Sequence, residues 1–338
     1  MDLLKEISEA NAVSGNEAYF MRDIAPEAVK KYSLPKAPYA DSMGNVILFK
    51  EGRNHDKCMA VMTHTDEAGY IVKEITDKGF IKMDSVGDID PRVIISKKVS
   101  VGPNKVKGII GMKAIHLQKK EERAQVVDIK NLFVDIGAKN KKDAEKKVHL
   151  GDYISFSTSF EYFSEKIIKG KALDRAGVYC VLKAMDKIPE YDTYFIFAAQ
   201  HHTGVRGASI VLEKINPSNI LIVDTIESAD MFGVRSAEKG AVLHGGPVIG
   251  MMDKNSIIDK ELAQDLDKAA EKAGIKTQKI YSYQGGAAGA VRSGYGGRHT
   301  VVVSIPCRYR NTPVSFMSTE DLNNTTKIVD IFLGNKIG

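Results

Sequence analysis

The chain has 338 residues, of which 43% are hydrophobic and 27% are charged, and its formal net charge is +5. This length allows one large α/β domain or two smaller ones with a sizeable core, and the small positive excess argues against nucleic acid as a partner. No apolar run approaches the roughly 20 residues that a membrane span needs, so we expect no membrane partner.

The three cysteines lie in apolar runs without CxxC spacing, and the acidic start "MDLLKEISEA" is unlike a signal peptide. We therefore expect a cytoplasmic protein.

The first half of the chain predicts a helix, then strands, then an inserted β domain. The spacing Ser14-x-x-Glu17 is typical of a capping box at a helix N-terminus. The runs "NVILFK" and "CMAVMTH" have the composition of strands. Across 73–165, short strands between glycines follow one another without a long helical period. This pattern is typical of a small β-barrel or sandwich, and we predict an inserted β-barrel domain at 73–165.

Strands and helices alternate in the rest of the chain. The strand-like runs "TYFIFAA", "NILIVD" and "HTVVVSIP" are separated by the helical patterns "RAGVYCVLKAMDKI", "GASIVLEKI" and "DKELAQDLDKAAEKAG", and "STEDLNNTTKIVDIFLG" closes the chain as a helix. Such alternation predicts an α/β fold with a mostly parallel sheet sandwiched by helices. We assign 1–72 and 166–338 to this discontinuous domain.

Polar side chains follow several of the predicted strands. In open α/β sheets, ligands bind beyond the carboxyl ends of the strands, and imidazole and carboxylate groups are the ligands that a zinc-like ion takes. The candidates come from different segments and comprise His64, Asp66, Asp174, His201, His202, Asp224 and Asn311. The adjacent pair His201 and His202 is ambiguous, because a regular strand would direct only one of the two side chains into the site.

Motifs along nearly the whole chain resemble those of the M42 family of metallopeptidases, the tetrahedral aminopeptidases. The segments "SEANAVSGNE", "THTDEAGYIV", "KALDRAG", "AQHHTGVRGA", "GGPVI" and "IPCRYRNTPVSFMS" each resemble a motif of that family. The resemblance implies a zinc-peptidase-like fold with an inserted barrel, removal of N-terminal residues from short peptides, and two zinc or cobalt ions. It also implies a homo-oligomer, from a dimer to a dodecamer.

The resemblance also implies roles for individual residues. His64 would bind one metal ion, Asp66 would sit behind it as the orienting catalytic acid, and Asp224 would be a ligand of one ion. The two adjacent aspartates of the family, one of which bridges both ions, appear here as the single Asp174. Depending on where the gap falls, Asp174 or Leu173 occupies the bridging place.

Three further positions depart from the family pattern. The catalytic glutamate of the family falls on His201, the next glutamate, a metal ligand, falls on His202, and the late histidine ligand falls on Asn311. The Gly-Thr-Asp-Ala loop of the family reads "GAAG" in this chain, which removes another acid. Two neighbouring divalent ions need several carboxylates between and around them, so we expect zero or one ion here.

Two functions remain open on the sequence, and a third has little support. His64, His202 and either Asp174 or Asp224 would make a three-ligand hydrolase site, with His201 as general base. Alternatively, the chain is a catalytically inactive homologue that binds peptide or another ligand, or serves in assembly. Glycoside hydrolysis would need two carboxylates at a set separation, and the candidate acids do not suggest such a pair.

Overall fold

The computed structural model describes residues 2–213, 215–234, 240–281, 286–293 and 297–334. The strands are, in chain order, β1 Tyr39–Ala40, β2 Val46–Lys50, β3 Asn54–His64, β4 Gly69–Ile75, β5 Ile81–Val86, β6 Lys98–Val101, β7 Val106–Met112, β8 Leu132–Asp135, β9 Tyr153–Phe156, β10 Glu161–Ser164, β11 Ile167–Gly170, β12 Tyr191–Ala198, β13 Asn219–Glu227, β14 Val248–Asp253, β15 Ser256–Ile257, β16 Gln278–Tyr281, β17 His299–Arg308 and β18 Ser315–Ser318. The α-helices are α1 Asp2–Glu9, α2 Ala25–Lys31, α3 Lys120–Arg123, α4 Lys141–Glu145, α5 Ala176–Ala184, α6 Arg206–Ile210, α7 Lys260–Lys272, α8 Ala287–Ser293 and α9 Thr319–Gly334. A π-helical turn at Phe20–Ile24 precedes α2, and 3-10 turns lie at Pro91–Val93, Ile115–Leu117, Ile129–Asn131, Leu173–Arg175 and Val211–Glu213.

A mixed sheet, twelve-stranded within the described ranges, forms the centre of the fold. Its path runs β1-β2-β12-β3-β13-β17-β18-β11-β10, and β14, β15 and β16 branch from β17. The four central strands β12, β3, β13 and β17 pair in parallel, whereas the pairs toward both edges are antiparallel. The parallel strands are buried along most of their length, because helices α5, α7, α8 and α9 pack against them. The predicted α/β fold is confirmed, with its parallel pairing concentrated at the centre of the sheet.

Six antiparallel strands form a closed barrel in the order β4-β5-β8-β7-β6-β9. The barrel has a hydrophobic core of its own, separate from that of the large sheet, with Tyr70, Ile110 and Ile154 among its buried members. The predicted inserted barrel is therefore confirmed as an element of the fold. Its strands run from Gly69 to Phe156, and β10 pairs with β11 of the large sheet. We propose 69–156 as the bounds of the insert, narrower than the 73–165 expected from the sequence.

Two of the predicted helices, α7 and α9, have the ends that their sequences indicate. Asp259 accepts a hydrogen bond from the Leu262 N–H at 3.1 Å and caps α7, whose Leu262 and Leu266 are buried. At the start of α9, Ser318 Oγ accepts the Asp321 N–H at 3.3 Å. Within the described ranges, every helix is too short or too polar to pass through a lipid bilayer.

The predicted capping box at Ser14 and Glu17 is wrong. Val13 is bridged to Glu67, Ser14 and Gly15 form a turn, and helical structure begins at Ala18. Ser14 Oγ donates a hydrogen bond to the Asp66 carboxylate, and the Glu17 carboxylate accepts the backbone N–H of Gln200 at 2.8 Å. Ser14 therefore bonds to a distant segment in place of the helix end, and Glu17 joins a distant segment to the local N–H of Gly15, which it accepts at 2.9 Å.

Candidate functional site

The predicted site residues gather at the carboxyl end of the central parallel strands. His64 is the last residue of β3, and Asp224 lies toward the end of β13. Asp174 lies in the 3-10 turn Leu173–Arg175, just before α5. Strand β12 ends opposite His64, where Ala198 pairs with it. The edge of the sheet where ligands bind in open α/β folds is therefore the edge that carries these side chains.

Both histidines of the "HHTG" segment reach the site, because strand β12 ends before them. Gln200 has a φ of +54°, which turns the backbone into the left-handed region immediately before the pair. Two buried carboxylates hold this turn: Glu17 accepts the Gln200 N–H at 2.8 Å, and Asp66 accepts the His202 N–H at 2.9 Å. A regular strand would have directed only one of the two side chains into the site. Because the strand ends before the pair, both side chains enter it.

The three imidazole rings form one cluster. The ring of His201 stacks on that of His64, with 4.3 Å between centroids and 18° between planes. The ring of His202 meets His64 edge-on at 5.4 Å, and the side chain of His202 is only 5% exposed. Removal from water, together with the nearby His64, lowers the pKa of His201 to about 3, so His201 is a neutral imidazole at ordinary pH.

His64 lies between two carboxylates. Its Nδ1 is 3.2 Å from the backbone oxygen of Asp66 and 3.4 Å from Asp66 Oδ1, and its Nε2 is 3.6 Å from Asp224 Oδ1. Burial alone would lower the pKa of His64, but the contacts with Asp224 and Asp66 outweigh burial and raise the pKa to about 10. Nε2 is buried and has no hydrogen-bond partner. It is therefore the nitrogen of His64 that remains for another ligand.

Asp174 faces the histidines, whereas Leu173 is buried in the hydrophobic core. Asp174 Oδ2 lies 2.8 Å from His202 Nε2. Burial would raise the pKa of Asp174, but the bond to His202 lowers it to about 2. Asn311 lines the same recess as Asp174, and its Oδ1 is buried without a hydrogen-bond partner. An oxygen left unpaired in this way is what a missing ligand at this place would satisfy.

Asp224 has partners that Asp174 lacks. Its Oδ1 accepts the Thr225 N–H at 2.7 Å and lies 3.5 Å from Arg310 Nη2. Burial would raise the pKa of Asp224, but His64 and Arg310 hold it well below its usual range. The sequence analysis missed Arg310, which stands at a position that the Arg-Tyr-x-His motif of the resembled family leaves open. The one signal in the sequence was a charged residue at a position that the motif does not specify, next to Asn311, which falls on a metal-ligand position of the family.

Among the described residues, two groups of side chains could each hold a metal ion. One consists of His64, Asp174 and His202, the other of His64, His201 and Asp224, and within each group the ligand atoms lie within 4.8 Å of one another. Both groups contain His64. Because Nδ1 of His64 faces Asp66, a single nitrogen lone pair is left for both groups, and one lone pair binds one ion.

A family model described as M42 glutamyl aminopeptidase matches residues 44–328. The chain belongs to the M42 family. It is 28% identical over 344 residues to the lysyl aminopeptidase of Pyrococcus furiosus, an alignment that covers 98% of this chain and 96% of the relative.

Solved structures agree with this family assignment. The TET aminopeptidase of the marine sediment archaeon Thaumarchaeota archaeon SCGC AB-539-E09 superposes with a TM-score of 0.95 at 26% identity, over 99% of this chain and 96% of that one. The Pyrococcus horikoshii TET1 peptidase, described as able to assemble into a tetrahedron or a large octahedral shell, has a TM-score of 0.85 at 26% identity and 99% coverage of both chains. The M42 fold thus extends over the whole described chain.

M42 metallopeptidases generally use divalent metal ions, and the residues of this site fit one such ion. Imidazole and carboxylate donors converge, and the buried His64 Nε2 and Asn311 Oδ1 have no hydrogen-bond partners. The two candidate groups share His64, and each would use the same nitrogen of that residue.

Proposed function

We propose that this M42 homologue is an aminopeptidase that removes N-terminal residues from short peptides with a single divalent ion, zinc or cobalt. The observation that carries the proposal is the buried, unpartnered Nε2 of His64, which both candidate groups would have to share. Three protein ligands with one open position is the arrangement of catalytic zinc sites.

His64, Asp174 and His202 are the ligands that we propose. Asp174 Oδ2 and His202 Nε2 are already 2.8 Å apart, so both are directed at one point. Asn311 Oδ1 lies beside them without a hydrogen-bond partner and can complete the set or hold a water molecule. Asp224 is the weaker candidate, because its Oδ1 already accepts the Thr225 N–H at 2.7 Å.

Asp66 and His201 have the two remaining roles in the proposed reaction, orientation of the ligands and transfer of a proton. Asp66 faces Nδ1 of His64 and so orients that imidazole, and it accepts the backbone N–H of His202, which fixes the chain that carries the second imidazole. A divalent ion bound here would act as a Lewis acid and lower the pKa of a water molecule. His201 is neutral and stacked 4.3 Å from His64, so its ring can take a proton in place of the usual glutamate of the family, as a weak base whose pKa is held low by burial and by His64.

We also propose a cytoplasmic homo-oligomer, between a dimer and a dodecamer. The support is the shell assembly described for Pyrococcus horikoshii TET1, together with the retained barrel domain. Sedimentation of the purified chain at micromolar concentration tests this assembly. A species of about 37 kDa alone, the mass of one chain, would contradict it.

Metal analysis and peptidase assays test the function. We expect close to one zinc or cobalt per chain, with activity on aminoacyl p-nitroanilides or dipeptides that a chelator abolishes and added metal restores. His202→Ala should lose both the ion and the activity, whereas His299→Ala, which removes an exposed histidine paired with Asp259, should keep both. A protein that binds no ion, or two, would contradict the proposal.

A second candidate, an inactive homologue that binds peptide or serves in assembly, is favoured by one observation. Arg310 lies 3.5 Å from Asp224, and His64 lies between Asp224 and Asp66, so cationic side chains can offset the buried carboxylates without an ion. In that case the purified protein would be free of metal, and chelators would leave its melting temperature unchanged.

A further inference from the structure

We propose that Arg310 is a fixed cation that occupies the place of a second metal ion beside Asp224, and that this residue limits the number of ions the cleft accepts. The proposal deepens the function proposed above, on which it rests for the identity of the cleft as a metal site. It concerns a residue to which the family motif assigns no role.

The contacts of Asp224 Oδ1 leave no room for an ion on that oxygen. It accepts the Thr225 N–H at 2.7 Å, and Arg310 Nη2 and His64 Nε2 lie 3.5 and 3.6 Å away from it. A carboxylate oxygen offers about two lone pairs, and the Thr225 N–H and the Arg310 guanidinium already face this one. Of the two oxygens of Asp224, Oδ1 is therefore the one already engaged in the group His64, His201 and Asp224.

Hydrogen bonds of its side chain and of its backbone hold Arg310 in this position. Its Nε donates to Thr225 Oγ1 at 2.9 Å, and its side chain is only 12% exposed. The Glu227 carboxylate accepts the backbone N–H groups of both Tyr309 and Arg310 at 3.0 Å. The residues on either side, Tyr309 and Asn311, have φ values of +59° and +57°, so a specific backbone conformation directs Arg310 and Asn311 into the cleft.

The charge of Arg310 acts against a second ion. A guanidinium keeps its proton at any working pH, so its charge is permanent. In a poorly solvated cleft a like charge at this distance repels a divalent cation strongly, and salt screens the repulsion little. The neighbouring Arg308 offers a matched comparison, because its guanidinium makes two bonds to Asp230, at 2.8 and 2.6 Å.

The test is the number and affinity of bound ions in three variants, measured by equilibrium dialysis against zinc with elemental analysis. Arg310→Gln removes the charge and keeps a polar side chain, Arg310→Lys keeps a charge, and Arg308→Gln removes a charge near the cleft but outside it. We expect Arg310→Gln to bind one more zinc ion than the unsubstituted chain, held by His201 and Asp224 without His64, or the same ion at least about tenfold more tightly, which corresponds to about 1.4 kcal/mol. Arg310→Lys and Arg308→Gln should bind as the unsubstituted chain does.

Two results would overturn the proposal. In the first, Arg310→Gln, with a melting temperature showing that it is folded, binds the same number of ions with the same affinity. In the second, Arg308→Gln gains as much as Arg310→Gln, which would make the effect one of net charge. The ion count of the unsubstituted chain tests the proposed function separately: if that chain holds no zinc but Arg310→Gln gains an ion, the inference about Arg310 stands and the single-ion function fails.

Discussion

The two sides of the cleft use similar groups for different ends. On the Asp174 side, a buried carboxylate faces His202 and lies beside the unpartnered amide oxygen of Asn311. On the Asp224 side, a buried carboxylate faces a backbone N–H and the guanidinium of Arg310. The difference teaches that a carboxylate's other partners decide whether it can hold an ion. Asp174 faces an imidazole that can itself become a ligand, whereas the backbone N–H and the guanidinium beside Asp224 only occupy its lone pairs.

Loss of the residue common to both sides should have the largest effect. His64→Ala removes a ligand from each candidate group, so we expect zinc affinity to fall at least about 1,000-fold, to a level at which dialysis strips the ion. His55→Ala, which removes an exposed histidine paired with Asp192, is the control and should bind zinc normally. Retention of a full equivalent of zinc by His64→Ala would show that the ion is held elsewhere.

The two aspartates provide a direct comparison of the two sides. Asp174→Asn should weaken zinc binding by about 100-fold, because it removes a proposed ligand, whereas Asp224→Asn should change it by less than about fivefold. Competition with a chromophoric chelator measures both. A larger loss in Asp224→Asn than in Asp174→Asn would place the ion on the Asp224 side and reverse the comparison.

The sequence predicted the architecture well, because the pattern of each segment agrees with its final environment. The periodicity of α7 and the apolar runs of β3 and β13 predict the elements that form. Ser14 and Glu17 are the instructive failure. Their spacing fits a local cap, but their partners, Asp66 and Gln200, come from distant segments, and a pattern within one segment does not reveal partners in another.

The sequence predicted that the candidate residues lie close together, but it did not predict how they are arranged. The residues at strand ends were found from the sequence, because parallel strands bring their carboxyl ends together. The inward turn of both His201 and His202 depends on the positive φ of Gln200, which no local signal indicated. Arg310 was missed because its role follows from a distance to Asp224, and no spacing along the chain encodes that distance.

Substitution of Gly87, which follows strand β5 of the barrel, should have an intermediate effect on zinc binding. Gly87 has a φ of +86°, and a Cβ there would lie 2.9 Å from His202 Cβ. Gly87→Ala should therefore shift His202 and weaken zinc binding by about tenfold, with a loss of about 1–3 kcal/mol in stability. Gly79→Ala is the matched control. The φ of Gly79 is +83°, and a Cβ there would also meet its nearest atom at 2.9 Å, but that atom is the backbone oxygen of Asn140 and not part of a site residue. It should lose similar stability and keep its zinc affinity, and equal zinc losses in both variants would contradict a specific role for Gly87.

The smallest effect should come from loss of the ion pair between Arg308 and Asp230. Burial would raise the pKa of Asp230, but its bonds with Arg308 lower it from 3.8 to about 2. A carboxylate with a lowered pKa stabilises the folded state above its unfolded pKa, and this contribution is lost as the pH falls from about 4 to 2. Because the pair is partly exposed, we expect Asp230→Asn to cost only about 1 kcal/mol at pH 7.

Chemical denaturation at several pH values measures this contribution. The stability difference between the unsubstituted chain and Asp230→Asn should be constant from pH 7 to 5 and shrink as the pH approaches 3. A difference that does not change with pH would mean that the pair contributes through packing and not through charge. Zinc affinity should be the same in both proteins, because Asp230 holds Arg308 and not Arg310. An altered affinity would mean that the charge of Arg308, once released from Asp230, reaches the cleft, and the distinction between the two arginines would then be one of degree.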